Sequence, residues 1–202
     1  KNINRTSMSK QKKPESTFPN MVLALLLVTD IAGLALGGVY VVTKEPIAAA
    51  NRAKLKNALG KVLPEFDNTK TKKVPAIDGS DSLVFYTAYK NGSEVGTAIK
   101  TYTEKGYSGR IVIMVGFTPD NQIERTAVLS HAETPGLGDK IDKAKSDWSN
   151  QFNDKNPGQF ELKVKKDGGD VDAITAATIS SRAFCDAVRR AYKTYEKEGG
   201  VK

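Results

Sequence analysis

Met21 to Thr43 reads Met-Val-Leu-Ala-Leu-Leu-Leu-Val-Thr-Asp-Ile-Ala-Gly-Leu-Ala-Leu-Gly-Gly-Val-Tyr-Val-Val-Thr, with Asp30 its one charged side chain. No other stretch restricts the fold as much. A helix needs about 20 largely apolar residues to cross the hydrocarbon core of a bilayer, and this run supplies them. It is longer than the roughly 7–15-residue core of a cleaved signal peptide, so a retained transmembrane helix is expected over residues 21–43. Gly33, Gly37 and Gly38 would let another helix approach closely. Asp30 costs about 2.5–3.5 kcal/mol at a helix centre on insertion scales. It is either tolerated near a boundary or turned toward a partner subunit or ion path; both readings favour a span that has company in the membrane.

Charge sets the expected orientation. Lys1, Arg5, Lys10, Lys12 and Lys13 crowd the start of the chain, and the positive-inside rule makes residues 1–20 a cytoplasmic tail. Everything after Thr43 then lies on the outer face. Of the net charge of +8, that tail carries a large share and the remainder is only mildly basic, so the charge is weak evidence for nucleic-acid binding. One Cys (Cys185) and one His (His131) exclude an internal disulfide and any Cys/His zinc spacing. Cys185 falls in a helical pattern and reads as a buried structural thiol, with a Cys185/His131 nucleophilic pair as the alternative.

Beyond the span, residues 44–64 read as a helical stalk. Pro46 suits the first turn of a new helix, apolar residues recur at Ile47, Ala50, Leu55, Leu59 and Val62, and Pro64 closes it. Residues 65–202 form the soluble domain, opening on a polar loop from Asn68 to Ser82. The hydrophobic period then changes to that of strands: Leu83 to Tyr89, an Asn91-Gly92 hairpin turn, Val95 to Thr103, Arg110 to Phe117, and Gln122 to Ser130. Ile141 to Phe152 reads as an amphipathic helix with Trp148 and Phe152 on one face, Gln159 to Lys165 as a last strand, and a final helix runs to about Glu198. Strands first and helices late argue an α+β class, an antiparallel sheet with packed helices preceded by one N-terminal transmembrane helix.

Two stretches carry candidate chemistry. His131-Ala132-Glu133-Thr134-Pro135-Gly136-Leu137-Gly138-Asp139-Lys140 holds a Pro-Gly turn and a second Gly, a loop whose backbone can approach a ligand closely. Asp172-Ala173-Ile174-Thr175-Ala176-Ala177-Thr178-Ile179-Ser180-Ser181 leads into the last helix. The free N–H groups and dipole of that helix start would hold a phosphate. The plainer role for Asp172, Thr175 or Thr178 is to cap the helix.

Together with Gly106-Tyr107-Ser108-Gly109 ahead of a strand, these pieces resemble the FMN-binding domain family. The resemblance is strongest to the G subunits of Rnf-type electron-transport complexes, which are related to the C subunits of sodium-pumping NADH:quinone reductases. In that family the motif Asp-x-x-Ser/Thr-Gly-Ala-Thr carries FMN through a phosphoester on its last Thr. The resemblance therefore implies covalent FMN on Thr178, with Thr175, Ala176 and Ala177 beside the phosphate and Asp172 recognised by a flavin transferase. The usual Gly is replaced by Ala176, whose methyl group restricts φ and crowds the phosphate. The loop residues Glu133, Thr134, Gly136, Leu137, Gly138 and Lys140 would wall the isoalloxazine cleft. Leu137 would lie against the ring, and Glu133 and Thr134 would orient it by hydrogen bonds. Tyr107 is either core or a flavin neighbour, and His131 a strand-end residue.

The resemblance further implies an electron-carrying subunit with no catalytic residues of its own and no metal. It would sit in the bacterial inner membrane with its domain on the periplasmic or extracellular side. Its partners would be the other membrane subunits of a ferredoxin:NAD oxidoreductase that exports sodium or protons. Three rivals stand beside it: a C-type subunit of a quinone reductase, a non-redox anchored scaffold, and a hydrolase using Ser180 or Thr178 with His131.

Overall fold

The computed structural model describes residues 17–79 and 81–199. The cluster of basic residues expected in the cytoplasmic tail lies outside them. Two compact units divide at Ala50/Asn51. The first is the N-terminal part of helix α1 (Phe18–Val62), whose side chains over residues 21–42 are exposed. It is long and apolar enough to cross a membrane, as expected.

The helix differs from expectation in one respect. No new helix begins at Pro46, because α1 is continuous from Phe18 to Val62 with Pro46 inside it. A proline removes one backbone donor, and the helix-forming residues on either side, Thr43-Lys44-Glu45 and Ile47-Ala48-Ala49-Ala50, carry the helix across that single gap.

The second unit is built on a five-stranded antiparallel sheet in sequential order, β1 (Asn68–Val74), β2 (Leu83–Lys90), β3 (Ser93–Gly106), β4 (Gly109–Phe117) and β5 (Ile123–Ser130). The β2–β3 hairpin turns at Asn91 and Gly92, both at positive φ (51° and 80°), as an Asn-Gly turn requires. Strand β1 corrects the loop expected over residues 68–82. Its sequence, Asn-Thr-Lys-Thr-Lys-Lys-Val, lacks apolar alternation because it is an edge strand, pairing only with β2. Lysines at such an edge discourage pairing with another chain.

Successive residues of the strands face opposite ways, and both faces are covered. Phe85, Ile99, Ile111, Ile113, Val115 and Phe117 pack with Ala183, Phe184, Val188, Ala191 and Tyr195 of the last helix, α2 (Thr178–Lys197). On the other face Tyr86, Ala88, Ala98 and Met114 pack with Ala58, Leu59, Val62 and Leu63 at the end of α1. Gly116 makes that approach possible: a Cβ there would be driven into the Val62 carbonyl group.

Two further expectations fail. Residues 141–152 form no amphipathic helix but two 3-10 turns, η1 (Gly138–Ile141) and η2 (Trp148–Phe152). Ile141, Trp148 and Phe152 have helical spacing, yet they are brought to one core by the turns, with Trp148 edge-on to Phe152 and Phe184 at 5.5 and 5.2 Å. Gln159 to Lys165 is not a strand; it forms one parallel bridge, Val164 to Val171, packs Phe160 against Phe152, buries Leu162 in the core and turns at η3 (Lys165–Asp167). The bridge seats Gly169 over Lys163, where a Cβ would strike the Lys163 carbonyl carbon and Cβ. That close approach is what the Asp167-Gly168-Gly169-Asp170 cluster provides.

Candidate functional site

Three segments converge at one end of the sheet. The first is the two-residue turn Tyr107-Ser108 between β3 and β4, closed by the Gly106/Gly109 pair with Gly109 at φ 98°. The second is the loop after β5. Its chain folds back on the Thr134 carbonyl, which accepts from the N–H groups of Leu137 (3.2 Å) and Asp139 (3.3 Å), and Gly136 at φ 76° allows the reversal. The third is the approach to α2. Ser181 Oγ accepts from the Ile174 N–H and donates to the Ala177 carbonyl, both at 3.0 Å, which fixes the residues between them.

Helix α2 starts without a side-chain cap. Ala177 occupies the N-cap position and makes no side-chain bond; neither Asp172, Thr175 nor Thr178 caps the helix. The first intrahelical bond runs from the Ser181 N–H to the Ala177 carbonyl at 3.0 Å. The N–H groups of Thr178, Ile179 and Ser180 therefore precede the ladder, as the first amides of any helix do. A phosphate at this point would meet those donors and the positive end of the dipole.

A cavity of about 480 Å³ opens between the three segments. Tyr107 lines it from the hairpin turn, Glu133, Thr134, Leu137 and Gly138 from the loop, and Ala176 through Ser180 from the start of α2. Tyr107, Leu137 and Ile179 are 69%, 41% and 47% exposed, so three large apolar side chains stand uncovered around one opening. That mouth fits a flat aromatic ring system, and the helix start beside it fits the phosphate of the same molecule.

Glu133 is the buried polar centre of the arrangement, only 4% exposed. Its Oε1 accepts from the Ser108 N–H at 3.0 Å, and its Oε2 accepts from the Ser180 hydroxyl. Its own N–H donates to His131 Nδ1 at 3.1 Å. Two glycines leave room for the carboxylate: a Cβ on Gly106 or on Gly138 would lie 2.8 Å from one of its oxygens. Gly106, Glu133 and Gly138 thus belong to one packing unit, although 32 residues separate the outer two.

The sequence-derived site residues divide by position. Thr178, Ala176, Ala177, Glu133, Thr134, Leu137 and Gly138 all line the cavity; Thr175, Gly136 and Lys140 are neighbours that do not. Thr175 is exposed, and Lys140 is exposed at η1 with its carbonyl accepting from Ser146 Oγ at 2.7 Å. Asp172 stands outside the cavity, its carboxylate paired with Lys165 Nζ at 2.8 Å and exposed to solvent. Tyr107 is at the mouth rather than in the core. His131 is a strand-end residue with its Nδ1 engaged by Glu133.

Ser180 and Ile179 escaped sequence reasoning as wall residues, and Ser108 as the partner of Glu133. Helical spacing places Ser180 and Ile179 on the first turn of α2, but only the folded hairpin brings Ser108 to Glu133. Ser180 is 2% exposed with its hydroxyl held by Glu133, an arrangement that removes the serine–histidine pair a hydrolase would need.

Two titratable groups behind the site have shifted values. Burial raises the Cys185 thiol to about 12, so the buried thiol is inert. Burial would also raise Asp186, but hydrogen bonds from Lys105 (2.7 Å) and Thr103 (2.8 Å) outweigh it and hold the carboxyl below its ordinary value.

Comparison with known proteins agrees with this geometry. The model of the FMN-binding domain matches residues 106–193, a stretch that begins at the hairpin turn and ends within α2. A protein of Aliivibrio fischeri, named as the G subunit of an ion-translocating oxidoreductase complex, is 38% identical over 193 residues, covering 89% of this chain and 91% of its own length. Proteins of the same name from Shewanella piezotolerans and Erwinia tasmaniensis are 38% identical over 82% of the chain and 44% identical over 57% of it.

Proposed function

The chain belongs to the FMN-binding domain family, among the G subunits of ion-translocating oxidoreductase complexes, and we propose that it is the membrane-anchored FMN electron carrier of such a complex. The observation that carries this reading is the joining of an apolar mouth to a helix N-terminus in one cavity, with Thr178 at the junction. Bound there, FMN supplies reversible electron transfer, and the protein supplies position and electrostatics.

Thr178 Oγ1 is the proposed ester oxygen for the FMN phosphate. The amides at the start of α2 would hold the phosphate, and Thr175 would add a hydroxyl from the approach. Leu137, Tyr107 and Ile179 would contact the ring system, with Thr134, Gly136 and Gly138 shaping the wall and Lys140 near its edge. Asp172 would be read by a flavin transferase; its exposed carboxylate and its place outside the cavity suit recognition from outside. A permanent ester keeps the cofactor on the protein on a side of the membrane where free FMN is scarce.

The domain is assigned to the outer face of the bacterial inner membrane, with residues 1–20 cytoplasmic, 21–43 spanning, and 44–64 leading into the domain over 65–202. The relatives that match over nine-tenths of their length are G subunits. They support an Rnf-type complex, which oxidises ferredoxin, reduces NAD and exports sodium or protons, over a quinone-reductase C subunit. The neighbouring membrane subunits would then exchange electrons with this domain and accommodate Asp30.

Denaturing electrophoresis of the full chain, produced together with a flavin transferase, tests the attachment. A fluorescent band is expected for the native sequence and none for Thr178→Ala. A fluorescent Thr178→Ala band would move the ester elsewhere, and a dark native band would leave the anchored-scaffold reading in its place.

A further inference from the structure

Glu133 is a buried carboxylate on the cavity wall. Its bonds are to a backbone amide on one strand turn and a serine hydroxyl on α2. Both partners are donors, so both oxygens serve as acceptors. Gly106 and Gly138 close around it so tightly that a Cβ on either would lie 2.8 Å from a carboxylate oxygen. Such a group does not swing out to solvent. It is a carboxyl group fixed in a water-poor position, beside the space in which the flavin is proposed to lie.

A loop glutamate that served only as a strut would be met as well by a neutral side chain of the same shape. Two donors satisfy the carboxylate but do not cancel its charge. Reduction of a flavin adds electrons, and a fixed negative charge nearby opposes that addition, most strongly where the effective dielectric constant is low. Charge close to the ring is one of the means by which a protein tunes this cofactor.

Resting on the proposed FMN site, we infer that Glu133 is a positioning and tuning residue: it ties the Tyr107-Ser108 turn to the start of α2 and holds the flavin potential low. The tie and the tuning come from the same atoms. Ser108 and Ser180 fix the carboxylate, and the carboxylate in turn fixes Ser180, two residues along the helix from Thr178. Removing the charge while keeping the shape separates the two effects. Removing the Ser180 hydroxyl while keeping the charge acts in the other sense, because the carboxylate then has one donor fewer to offset it.

Full-length native, Glu133→Gln and Ser180→Ala chains, each produced with the flavin transferase, are compared first by in-gel fluorescence. Midpoint potentials then follow from redox titration of the visible flavin band. Glu133→Gln is expected to retain flavin and shift the midpoint potential upward, whereas Ser180→Ala retains flavin with no upward shift. An unshifted Glu133→Gln potential would overturn the inference. So would an upward shift of the same size in both variants, since general loosening of the cavity would produce that. A dark Glu133→Gln band beside a fluorescent native one would also overturn it, by assigning Glu133 to attachment alone. A dark native band removes the flavin reading itself, and electrophoresis reports that before any potential is measured.

Discussion

The Trp148 indole N–H donates to the Asp172 carbonyl at 2.6 Å, tying the η2 turn to the residues that lead into α2. Gln151 strengthens the tie, accepting from the Asp172 N–H at 2.8 Å through its side-chain oxygen and donating to the same carbonyl at 3.3 Å. The polypeptide that presents Thr178 is therefore clamped at a distance of six residues, on the backbone of the residue proposed for transferase recognition.

Trp148→Phe should test the clamp. Phenylalanine keeps an aromatic ring near Phe152 and Phe184 but loses the indole donor, for an expected loss of about 1 kcal/mol from the hydrogen bond. Trp148→Ala should lose roughly 3–5 kcal/mol, because the packing goes as well. Denaturant melts of the solubilised chain measure both. In-gel flavin fluorescence should fall in Trp148→Ala before it falls in Trp148→Phe.

Ala176 lies at φ 62°, in the left-handed region that costs a residue with a Cβ roughly 1–2 kcal/mol. Ala176→Gly should stabilise the domain by about 0.5–1 kcal/mol, the relieved strain being partly offset by the greater freedom of glycine in the unfolded chain. A melting temperature below that of the native chain would contradict it.

The failures of sequence reading share a physical cause. Strands β2 to β5 were legible because their residues carry the period of strands and the turns after β2 and β4 carry Asn-Gly and Pro-Asp-Asn. Strand β1 was not, since an edge strand of Lys and Thr needs only backbone partners on β2. Ile141, Trp148 and Phe152 mimic a helix because turns can bring apolar side chains to one core at helical spacing. The loop from His131 and the start of α2 stood out as candidate chemistry from their small residues and hydroxyls, and they line one cavity. The link through Glu133 was not, because Ser108, Glu133 and Ser180 have no sequence relationship until the sheet has formed.

Asp186 should give the domain a measurable acid sensitivity. Its carboxyl is held below the ordinary value in the folded chain by Lys105 and Thr103 despite burial. A lowered folded value means stability that is fully present above the unfolded Asp value of about 3.9 and lost as pH falls through the folded one. Asp186→Asn should therefore be less stable than the native chain at neutral pH, by about 1–3 kcal/mol for a charge-assisted pair of bonds. The difference should narrow as pH drops below about 4. Denaturant melts at several pH values check the sign, and a gap that widens in acid would contradict the assignment.

Cys185 supplies a probe of how the hydrophobic core beneath the site opens. It is 1% exposed on α2, within the core cluster, and burial raises its thiol to about 12. Thiolate is the reactive form, so at pH 8 both concealment and protonation protect it. Alkylation by a small maleimide should be slow in the native chain and complete within minutes in denaturant. Because reaction requires opening of the core around α2, the labelling rate should rise in Trp148→Ala and fall in Ala176→Gly, following their stabilities. Rapid labelling of the folded native chain would mean that the core around α2 opens far more readily than its packing implies, and that the start of the helix is no rigid platform for a cofactor.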